Sequence, residues 1–310
     1  LPPKTTSFRR WAGRLAEHVA AGGFEDELPY WLAEARGEPR ALPEDFPRGA
    51  NTGADGRSVS ARLEEEETRR LLQEVPRAYR TQINDVLLAA LARTLGRWAG
   101  EERVLVDVEG HGREEILEGI DLSRTVGWFT TLYPVLLDLR GHPGEAEALT
   151  AVKEQLRAVP NRGIGHGALR WLSPRAEVRE ALAALPRARV RFEYLGQFDG
   201  SAGEEGFFAL APEPAGPNVD PRTERAHLLA VTGAVLGGRL EVTWQYSAGV
   251  HRRETVEALA HAYAAELRAL IDHCTSDDAG GYTPSDFPLV DIDPSTLALL
   301  EAQLLAEEGD

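Results

Sequence analysis

The sequence predicts an α/β fold in which helices pack on a mixed β-sheet. Two patterns predict it. First, stretches with apolar residues at helical spacing follow, along the chain, short stretches in which apolar and polar residues alternate as in strands. Second, the order of these stretches lacks the strict strand–helix–strand rhythm of an all-parallel sheet. Apolar residues make up 43% of the 310 residues and charged residues 27%, a composition typical of a globular protein that can bury a sizeable core.

The first hundred residues are predicted to be mostly helical. Thr6 or Ser7 can cap a helix that runs through Val19 and ends at Gly22-Gly23. The strongest helix signal in the chain is the continuous apolar stripe over residues 81–98. The other elements predicted here are a short helix at 30–32, a loop or linker at 36–57, a strand at 58–63 and a helix that opens with the acids of 64–67 and ends at Pro76.

The rest of the chain alternates between strands and helices. The runs 228–236 and 240–246 flank Gly237-Gly238, which predicts a β-hairpin. The other predicted strands cover 104–109, 133–139 and 189–195, and the predicted helices cover 145–159, 168–184, 252–273 and 294–306. Residues 160–167 are expected to form a flexible turn and residues 200–225 a Pro/Gly-rich loop.

Charge and cysteine content exclude several classes of protein. The net charge of −16 argues against a nucleic-acid partner, because binding to phosphate needs clustered Lys and Arg. The single cysteine, Cys274, excludes an internal disulfide and a cysteine metal cluster, and it fits a reducing, cytoplasmic compartment. No apolar run reaches the ~20 residues of a membrane span, so no membrane partner is expected.

The predicted strand at 104–109 carries the main candidate site. Val104, Val106 and Val108 point to one face, whereas Asp107 and Glu109 point to the other. A carboxylate at a strand end in a partly apolar wall can have a raised pKa and act as an acid or base near neutral pH, which makes Glu109 the first candidate. The alternative for Glu109 is a solvated or ion-paired acid.

Other candidate residues lie in the segment after this strand or near the end of the predicted strand at 189–195. Arg113 can hold a developing oxyanion or orient Glu109, or it can form a surface salt bridge with Glu114 or Glu115. Tyr194 can be a general acid or a core tyrosine with a satisfied hydroxyl group. Trp128 and Phe129 can line a substrate tunnel or pack in the core.

The histidines and glycines do not predict a metal or nucleotide site. His111 and His166 each stand between two glycines, but neither has two further ligands at recognisable spacing, so no metal is expected. Residues 163–167 lack the Lys and the preceding strand of a phosphate-binding loop, and the sequence contains no Gly-x-Ser-x-Gly.

Ordered motifs give a more specific indication than spacing alone. In chain order, these motifs are residues 109–114 (EGHGRE), 124–135 (RTVGWFTTLYPV), 160–167 (PNRGIGHG) and 192–199 (FEYLGQFD). They resemble the later core motifs of the epimerization domains of nonribosomal peptide synthetases. Residues 1–8, 84–90 and 281–287 also resemble segments of that family, so the resemblance spans nearly the whole chain.

The resemblance implies both a fold and a reaction. The family belongs to the condensation superfamily, in which two chloramphenicol-acetyltransferase-like lobes, each an α/β sandwich of a mixed sheet and packed helices, enclose a tunnel. A peptidyl carrier domain inserts its phosphopantetheine arm, and the α-carbon of the tethered residue is inverted from L to D. The domain itself binds no cofactor and no metal. By resemblance, Glu109 is an acid/base residue, Arg113 and Tyr194 are catalytic-site residues, and the tunnel is lined by His111, Trp128, Phe129 and Asn161.

Two features depart from the family's pattern. The sequence has no His-His-x-x-x-Asp-Gly motif, which in the family supplies a catalytic histidine facing the glutamate, and it has no Met. We therefore expect a C-terminal portion of the domain, inactive alone, with residues 1–57 as a remnant of the N-terminal lobe and linker, 58–280 as the C-terminal lobe and 281–310 as an exit segment. The second departure is Glu193, which stands where the family usually has Asn.

The partners expected from the resemblance are a carrier domain and neighbouring synthetase domains in the same polypeptide. Two alternatives remain open. One is a condensation domain, an acyltransferase that joins two carrier-bound chains; it would not be expected to carry the motifs at 109–113 and 194–199. The other is a non-catalytic module that docks a carrier.

Overall fold

The computed structural model describes residues 3–33, 40–198, 213, 216, 219–290, 292–293, 296–297 and 299. Its strands are β1 (Gly56–Arg62), β2 (Arg103–Gly110), β3 (Thr131–Asp138), β4 (Val190–Gln197), β5 (Leu229–Leu236) and β6 (Arg239–Ser247). Its helices are α1 (Phe8–Ala20), α2 (Leu28–Trp31), α3 (Glu65–Gln73), α4 (Val75–Tyr79), α5 (Ile83–Ala99), α6 (Glu145–Arg157), α7 (Ile164–Leu172), α8 (Ala176–Ala183) and α9 (Arg253–Cys274). Most of the predicted loop at 200–225, the end of the fourth motif at Asp199 and most of the predicted helix at 294–306 lie outside the described residues.

The strands form one sheet in the order β1-β6-β5-β4-β2-β3. The pairs β2–β4 and β4–β5 are parallel, whereas β1–β6, β5–β6 and β2–β3 are antiparallel. The predicted hairpin is confirmed: β5 and β6 pair directly, and Gly237 and Gly238 turn the chain with positive φ angles of 56° and 73°. The mixed sheet predicted from the sequence is therefore present.

Helices cover the apolar face of the sheet. Helix α5 packs against α9 and α6, and these helices contact strands at both halves of the sheet. In β2, Val104, Val106 and Val108 are buried, and the parallel register places Val190 and Phe192 of β4 on the same side. The result is the two-layer α/β sandwich that the sequence predicts.

The opposite face of the sheet carries polar side chains. Asp107 and Glu109 of β2 and Arg191 and Glu193 of β4 alternate with the buried residues and therefore share this face. Towards β1, the hydroxyl groups of Ser60 and Thr243 continue it, 2.9 Å apart. The sheet is thus packed on one side and polar on the other, and the candidate site lies on the polar side.

Three local predictions are wrong for physical reasons that involve proline or turn geometry. The helix that opens at Glu65 ends at Gln73, and Pro76 lies in the first turn of α4, where its missing N–H needs no partner. Pro174 divides the predicted helix 168–184 into α7 and α8, because the residue before a proline is driven out of the helical region; Ser173 has φ −55° and ψ 131°.

The third error concerns the motif at 160–167, for which the sequence predicts a flexible turn throughout. Residues Pro160–Gly163 form a short turn, and α7 begins directly afterwards at Ile164. Asn161, Arg162 and Gly163 have consecutive positive φ angles of 42°, 50° and 82°, which form a left-handed turn directly before α7. The turn thus ends before residue 164, and residues 164–167 belong to α7. The predicted domain division at 57/58 and 280/281 stays a prediction.

Candidate active site

Glu109 lies near the C-terminal end of β2, on the polar face of the sheet. Its Oε1 atom is 2.9 Å from Nη1 of Arg191, and its side chain is 17% exposed. Arg191 comes from β4, which runs parallel to β2 and places Arg191 beside Asp107. The carboxylate is therefore held by a neighbouring strand and is still reachable from solvent.

The surroundings of Glu109 raise its pKa to about 7. Burial is the largest cause, and a hydrogen bond and charge repulsion from Glu193 act in the same direction; the positive charge of Arg191 and the charge of His227 oppose them. A carboxyl group with this pKa is close to half protonated at neutral pH. Glu109 can therefore either take or give a proton, which is the direction that the sequence predicts for a carboxylate in a partly apolar wall.

Several polar neighbours of Glu109 were not recognised from the sequence. The hydroxyl group of Thr232 donates a hydrogen bond of 2.7 Å to Oε1 of Glu193, and Nη2 of Arg191 lies 3.5 Å from the same oxygen. Beside them, Nε2 of His227 is 2.8 Å from Oδ2 of Asp107. The signal that could have found Arg191 and Glu193 is their common parity in β4, since residues two apart share a strand face.

Arg113 lies in the loop after β2, and its guanidinium contacts the loop itself. It donates hydrogen bonds to the carbonyl oxygens of Leu122, at 2.6 Å, and Thr125, at 2.9 Å, and lies 4.2 Å from the ring centroid of Phe129. These contacts fix the loop, and they are not the salt bridge with Glu114 or Glu115 that was one of the two alternatives for Arg113. A direct part for Arg113 in the chemistry stays a prediction.

Tyr194 lies on the other face of the sheet from Glu109. Val108 pairs with Phe192 in parallel register, and Tyr194 is two residues further along β4, so it continues the helix-covered face. It packs against the core there, and burial raises the pKa of its hydroxyl group. The register therefore does not bring Tyr194 and Glu109 together, and the role of Tyr194 as an acid stays a prediction.

The predicted tunnel residues occupy three different settings. His111 is exposed at the edge of the site, where its Nδ1 accepts a hydrogen bond from the backbone N–H of Arg113 and its Nε2 is 3.3 Å from Glu114. Trp128 is exposed, whereas Phe129 is buried against Trp11, with ring centroids 4.8 Å apart. Of these three, His111 and Trp128 are exposed, and their place in a substrate tunnel stays a prediction.

Asn161, the fourth predicted tunnel residue, holds a buried carboxyl group. Its Nδ2 donates a 2.7 Å hydrogen bond to Oε1 of Glu27, and Nε1 of Trp31 donates one of 2.7 Å to Oε2. Burial raises the pKa of Glu27 in spite of these donors. The side chain of Asn161 therefore ties the α2 segment to the turn before α7.

A cleft of about 230 Å³ opens beside the end of β2. It lies between the start of α5, the end of β2 and the end of α6, and one wall is the ion pair in which Arg157 donates to both oxygens of Asp85, at 3.1 and 2.8 Å. The backbone N–H of Gln82 also donates to Asp85, at 2.6 Å. Helix α5 is thereby fixed against α6 next to Glu109.

Neither a cluster of metal ligands nor a membrane-spanning helix is found in the described part of the chain. There, no three His, Cys, Asp or Glu residues are grouped so that they could hold a metal ion. No helix in the same residues has the length and apolar character needed to cross a membrane.

Comparisons with known proteins point to one family. Residues 1–287 match the model of the condensation domain. The chain is 48% identical over 293 residues to a component of the linear gramicidin synthase of Brevibacillus parabrevis, and 44% identical over 315 residues to the chondramide synthase of Chondromyces crocatus; these matches cover 94% and 100% of the chain. Among solved structures, the epimerization domain from the third module of tyrocidine synthetase B superposes with a TM-score of 0.81 at 35% identity, over 88% of this chain.

The relatives are much longer than the matched segment. The chain spans 4% of the gramicidin synthase component, 8% of the chondramide synthase and 61% of the solved epimerization domain.

Proposed function

The chain belongs to the condensation domain family, and within this family we propose that it takes part in epimerization: inversion of the α-carbon, from L to D, of an aminoacyl or peptidyl thioester on the phosphopantetheine arm of a carrier domain. The proposed partners are that carrier domain and neighbouring synthetase domains of the same polypeptide, and the proposed location is the cytoplasm. The likeness to the epimerization domain of tyrocidine synthetase B supports this choice within the family.

The observation that carries the proposal is the state of Glu109. An α-proton beside a thioester is acidic enough for a side-chain base when the resulting enolate is stabilised. A carboxyl group whose pKa is about 7 is well matched to take and return such a proton near neutral pH. Glu109 also stands in the motif that resembles the family's glutamate motif, so sequence and electrostatics select the same residue.

Inversion needs proton removal on one face of the α-carbon and proton return on the other. In the proposed reaction, Glu109 serves one face. The C–H bond breaks, an O–H bond forms on a carboxylate oxygen of Glu109, and the electron pair is held by the thioester carbonyl as an enolate. A second acid then protonates the opposite face; the sequence contains no double-histidine motif to supply it, so its own residues account for the Glu109 side only.

A condensation activity is the second candidate, and the description of the matching family model favours it. In that reaction an amine attacks the thioester carbonyl, the C–S bond breaks and the thiol of the carrier arm leaves, so a new amide forms and the α-hydrogen is retained. Isotope content at the α-carbon therefore separates the two reactions. A third candidate is a module that only docks a carrier. It would neither introduce deuterium at the α-carbon nor form an amide.

The test is to incubate an L-aminoacyl carrier domain in heavy water with the polypeptide encoded by the complete reading frame that contains this sequence. We expect deuterium at the α-carbon and a mixture of L and D residues after hydrolysis. Glu109→Gln should lower the rate of deuterium incorporation by a factor on the order of 10²–10⁴ and leave carrier binding unchanged. Glu118→Gln, at an exposed glutamate in the loop after β2, is the matched control. Full activity of Glu109→Gln contradicts the site assignment, and an amide product without α-deuterium favours condensation.

A further inference from the structure

Glu193 is the residue at which this chain departs from its family's motif, and the structure places it beside Glu109. The two carboxyl groups come from β2 and β4, which are parallel neighbours, and both lie on the polar face of the sheet. Both side chains are largely enclosed, with 17% of Glu109 and 18% of Glu193 exposed. Arg191 reaches both groups, at 2.9 Å from Glu109 and 3.5 Å from Glu193.

Two neighbouring carboxyl groups can hydrogen-bond to each other only when one of them carries a proton, since two carboxylates offer only acceptors. Without that proton, the two negative charges repel each other in a partly enclosed site. With it, the pair carries one negative charge, which Arg191 balances. An asparagine at position 193 would carry no charge and could not raise the pKa of Glu109 by repulsion, so the effect is particular to the residue found in this chain.

We propose that Glu193 is a positioning residue that shares a single proton with Glu109, while Arg191 and Thr232 hold the two carboxyl groups in place. This inference rests on the proposed function of Glu109. When the shared proton is on Glu193, Glu109 is a carboxylate and can accept the α-proton of the substrate. When it is on Glu109, the same residue can protonate its own face of an enolate that was formed by proton removal on the opposite face, so the pair lets Glu109 act in either direction of the reaction.

Other charged groups near the pair also influence the pH at which its carboxyl groups titrate. On the polar face, His227 and Asp107 form the adjoining pair, and Arg225 donates its own hydrogen bond, of 2.6 Å, to the carbonyl oxygen of Tyr246. The cleft beside the end of β2 contributes further charged or titratable side chains, namely Asp85, His111, Glu114, Tyr133, Arg157 and Arg162. The test has to separate the effect of Glu193 from this background.

The first part of the test is a titration of the 310-residue chain itself, labelled with ¹³C at the glutamate carboxyl carbons. Loss of a resonance in Glu109→Gln identifies Glu109. In the wild-type chain we expect its midpoint near 7, and in Glu193→Gln a midpoint lower by about 1–2 pH units, because the repulsion and the shared proton are gone. Glu193→Asn, the family's residue, should give the same downward shift, and Glu193→Asp should retain part of the raised midpoint.

Glu118→Gln is the control for a change of net charge without contact to the pair. If the Glu109 midpoint stays near 7 in both Glu193→Gln and Glu193→Asn while circular dichroism shows folded chains, the shared proton is refuted. Two substitutions of different size keep the test valid if one of them prevents folding.

The second part follows deuterium incorporation into a carrier-bound substrate against pH, using the polypeptide of the complete reading frame. In Glu193→Gln we expect the pH at half-maximal kcat to move to lower pH by the shift seen in the titration, with KM changed less than about twofold because Glu193 does not bind the substrate. An unchanged pH profile overturns the proposal. A coupled titration without any α-deuterium in the wild-type protein would instead refute epimerization and leave the proton-sharing pair established.

Discussion

Trp128 and Phe129 are consecutive in the chain, yet Trp128 is 81% exposed and Phe129 is 5% exposed. Phe129 packs edge-to-face on Phe8 and Trp11 of α1, with ring centroids 5.3 and 4.8 Å away, and the guanidinium of Arg113 covers its ring. Of the two aromatic side chains in this motif, Phe129 therefore packs in the structure, whereas Trp128 is exposed.

Substitution of each aromatic residue should separate these two properties. Phe129→Ala should lower the free energy of unfolding by about 3 kcal/mol, because it removes a buried ring and leaves a cavity next to α1. Trp128→Ala should change it by less than about 0.5 kcal/mol, as is usual for an exposed side chain. Urea unfolding of both variants measures this difference, and equal losses would contradict the described packing. If Trp128 lines the substrate tunnel, Trp128→Ala also slows epimerization at unchanged stability.

The raised pKa of Glu109 predicts a pH dependence of stability. The pKa is about 7 in the folded chain and 4.5 for a free glutamate, so the folded state binds the proton more tightly than the unfolded state. The contribution of Glu109 is fully present below about pH 4.5 and is lost as the pH rises through 7. Between about pH 5 and pH 8 the free energy of unfolding should fall by about 2 kcal/mol more in the wild-type chain than in Glu109→Gln.

Urea unfolding at closely spaced pH values measures this fall. Glu118→Gln should keep the wild-type slope, since it leaves Glu109 and its neighbours intact. Parallel curves for the wild-type chain and Glu109→Gln would show that Glu109 titrates normally, which would also weaken its assignment as an acid/base residue.

The sequence predicts both the strand that carries Glu109 and the strand at 189–195, but not that these two strands are neighbours. The alternation in 104–109 assigned Glu109 to the face opposite Val108, and the structure has this arrangement. Pairing of β2 with β4 joins residues about 85 positions apart, and no local pattern specifies it. For this reason Arg191 and Glu193 were missed as neighbours of Glu109, although Glu193 was correctly assigned to the face opposite Tyr194.

Local turn chemistry was predicted less well than periodicity. The apolar stripe at 81–98 predicted α5, which covers Ile83–Ala99, almost to the residue. The motif at 160–167 has three glycines within five residues, which favours a loop on propensity alone. Packing of α7 against β3 and α1 outweighs that propensity, and the turn is confined to the residues before Ile164.

The first and the last of these three glycines should therefore respond differently to substitution by alanine. Gly163 has φ +82°, and a Cβ there would lie 2.1 Å from the ring of Tyr133, whereas a Cβ on Gly167 meets nothing within 4 Å. Gly163→Ala should lower the free energy of unfolding by about 2–3 kcal/mol through strain and overlap. Gly167→Ala, inside α7, should raise it by about 0.5–1 kcal/mol, because alanine is the better helix former. Thermal unfolding distinguishes the two, and a stabilised Gly163→Ala would contradict the turn geometry.

The segment at 281–287, which resembles the family's exit motif, is anchored to the sandwich by a buried ion pair. Nζ of Lys153, in α6, is 2.7 Å from both carboxylate oxygens of Asp286 and 2.8 Å from the carbonyl oxygen of Tyr79. Lys153 is 1% exposed and Asp286 9%, measured on their side chains. Although burial alone would raise the pKa of Asp286, hydrogen bonds from Lys153 and the backbone of Thr283 outweigh it and hold the pKa below its usual value.

Asp286→Asn should therefore lower the free energy of unfolding by about 3 kcal/mol at pH 7, because it leaves the ammonium group of Lys153 buried without a counter-charge. Asp278→Asn, an exposed change in the same part of the chain, should have little effect. The pKa of Asp286 is lowered on folding, so its contribution is present above the usual aspartate pKa and is lost as the pH falls through the lower folded value. Urea unfolding at pH 7 and at pH 3 measures this, and the difference in the free energy of unfolding between wild type and Asp286→Asn should be smaller at pH 3. A difference that is larger at pH 3 would mean that another group neutralises Lys153.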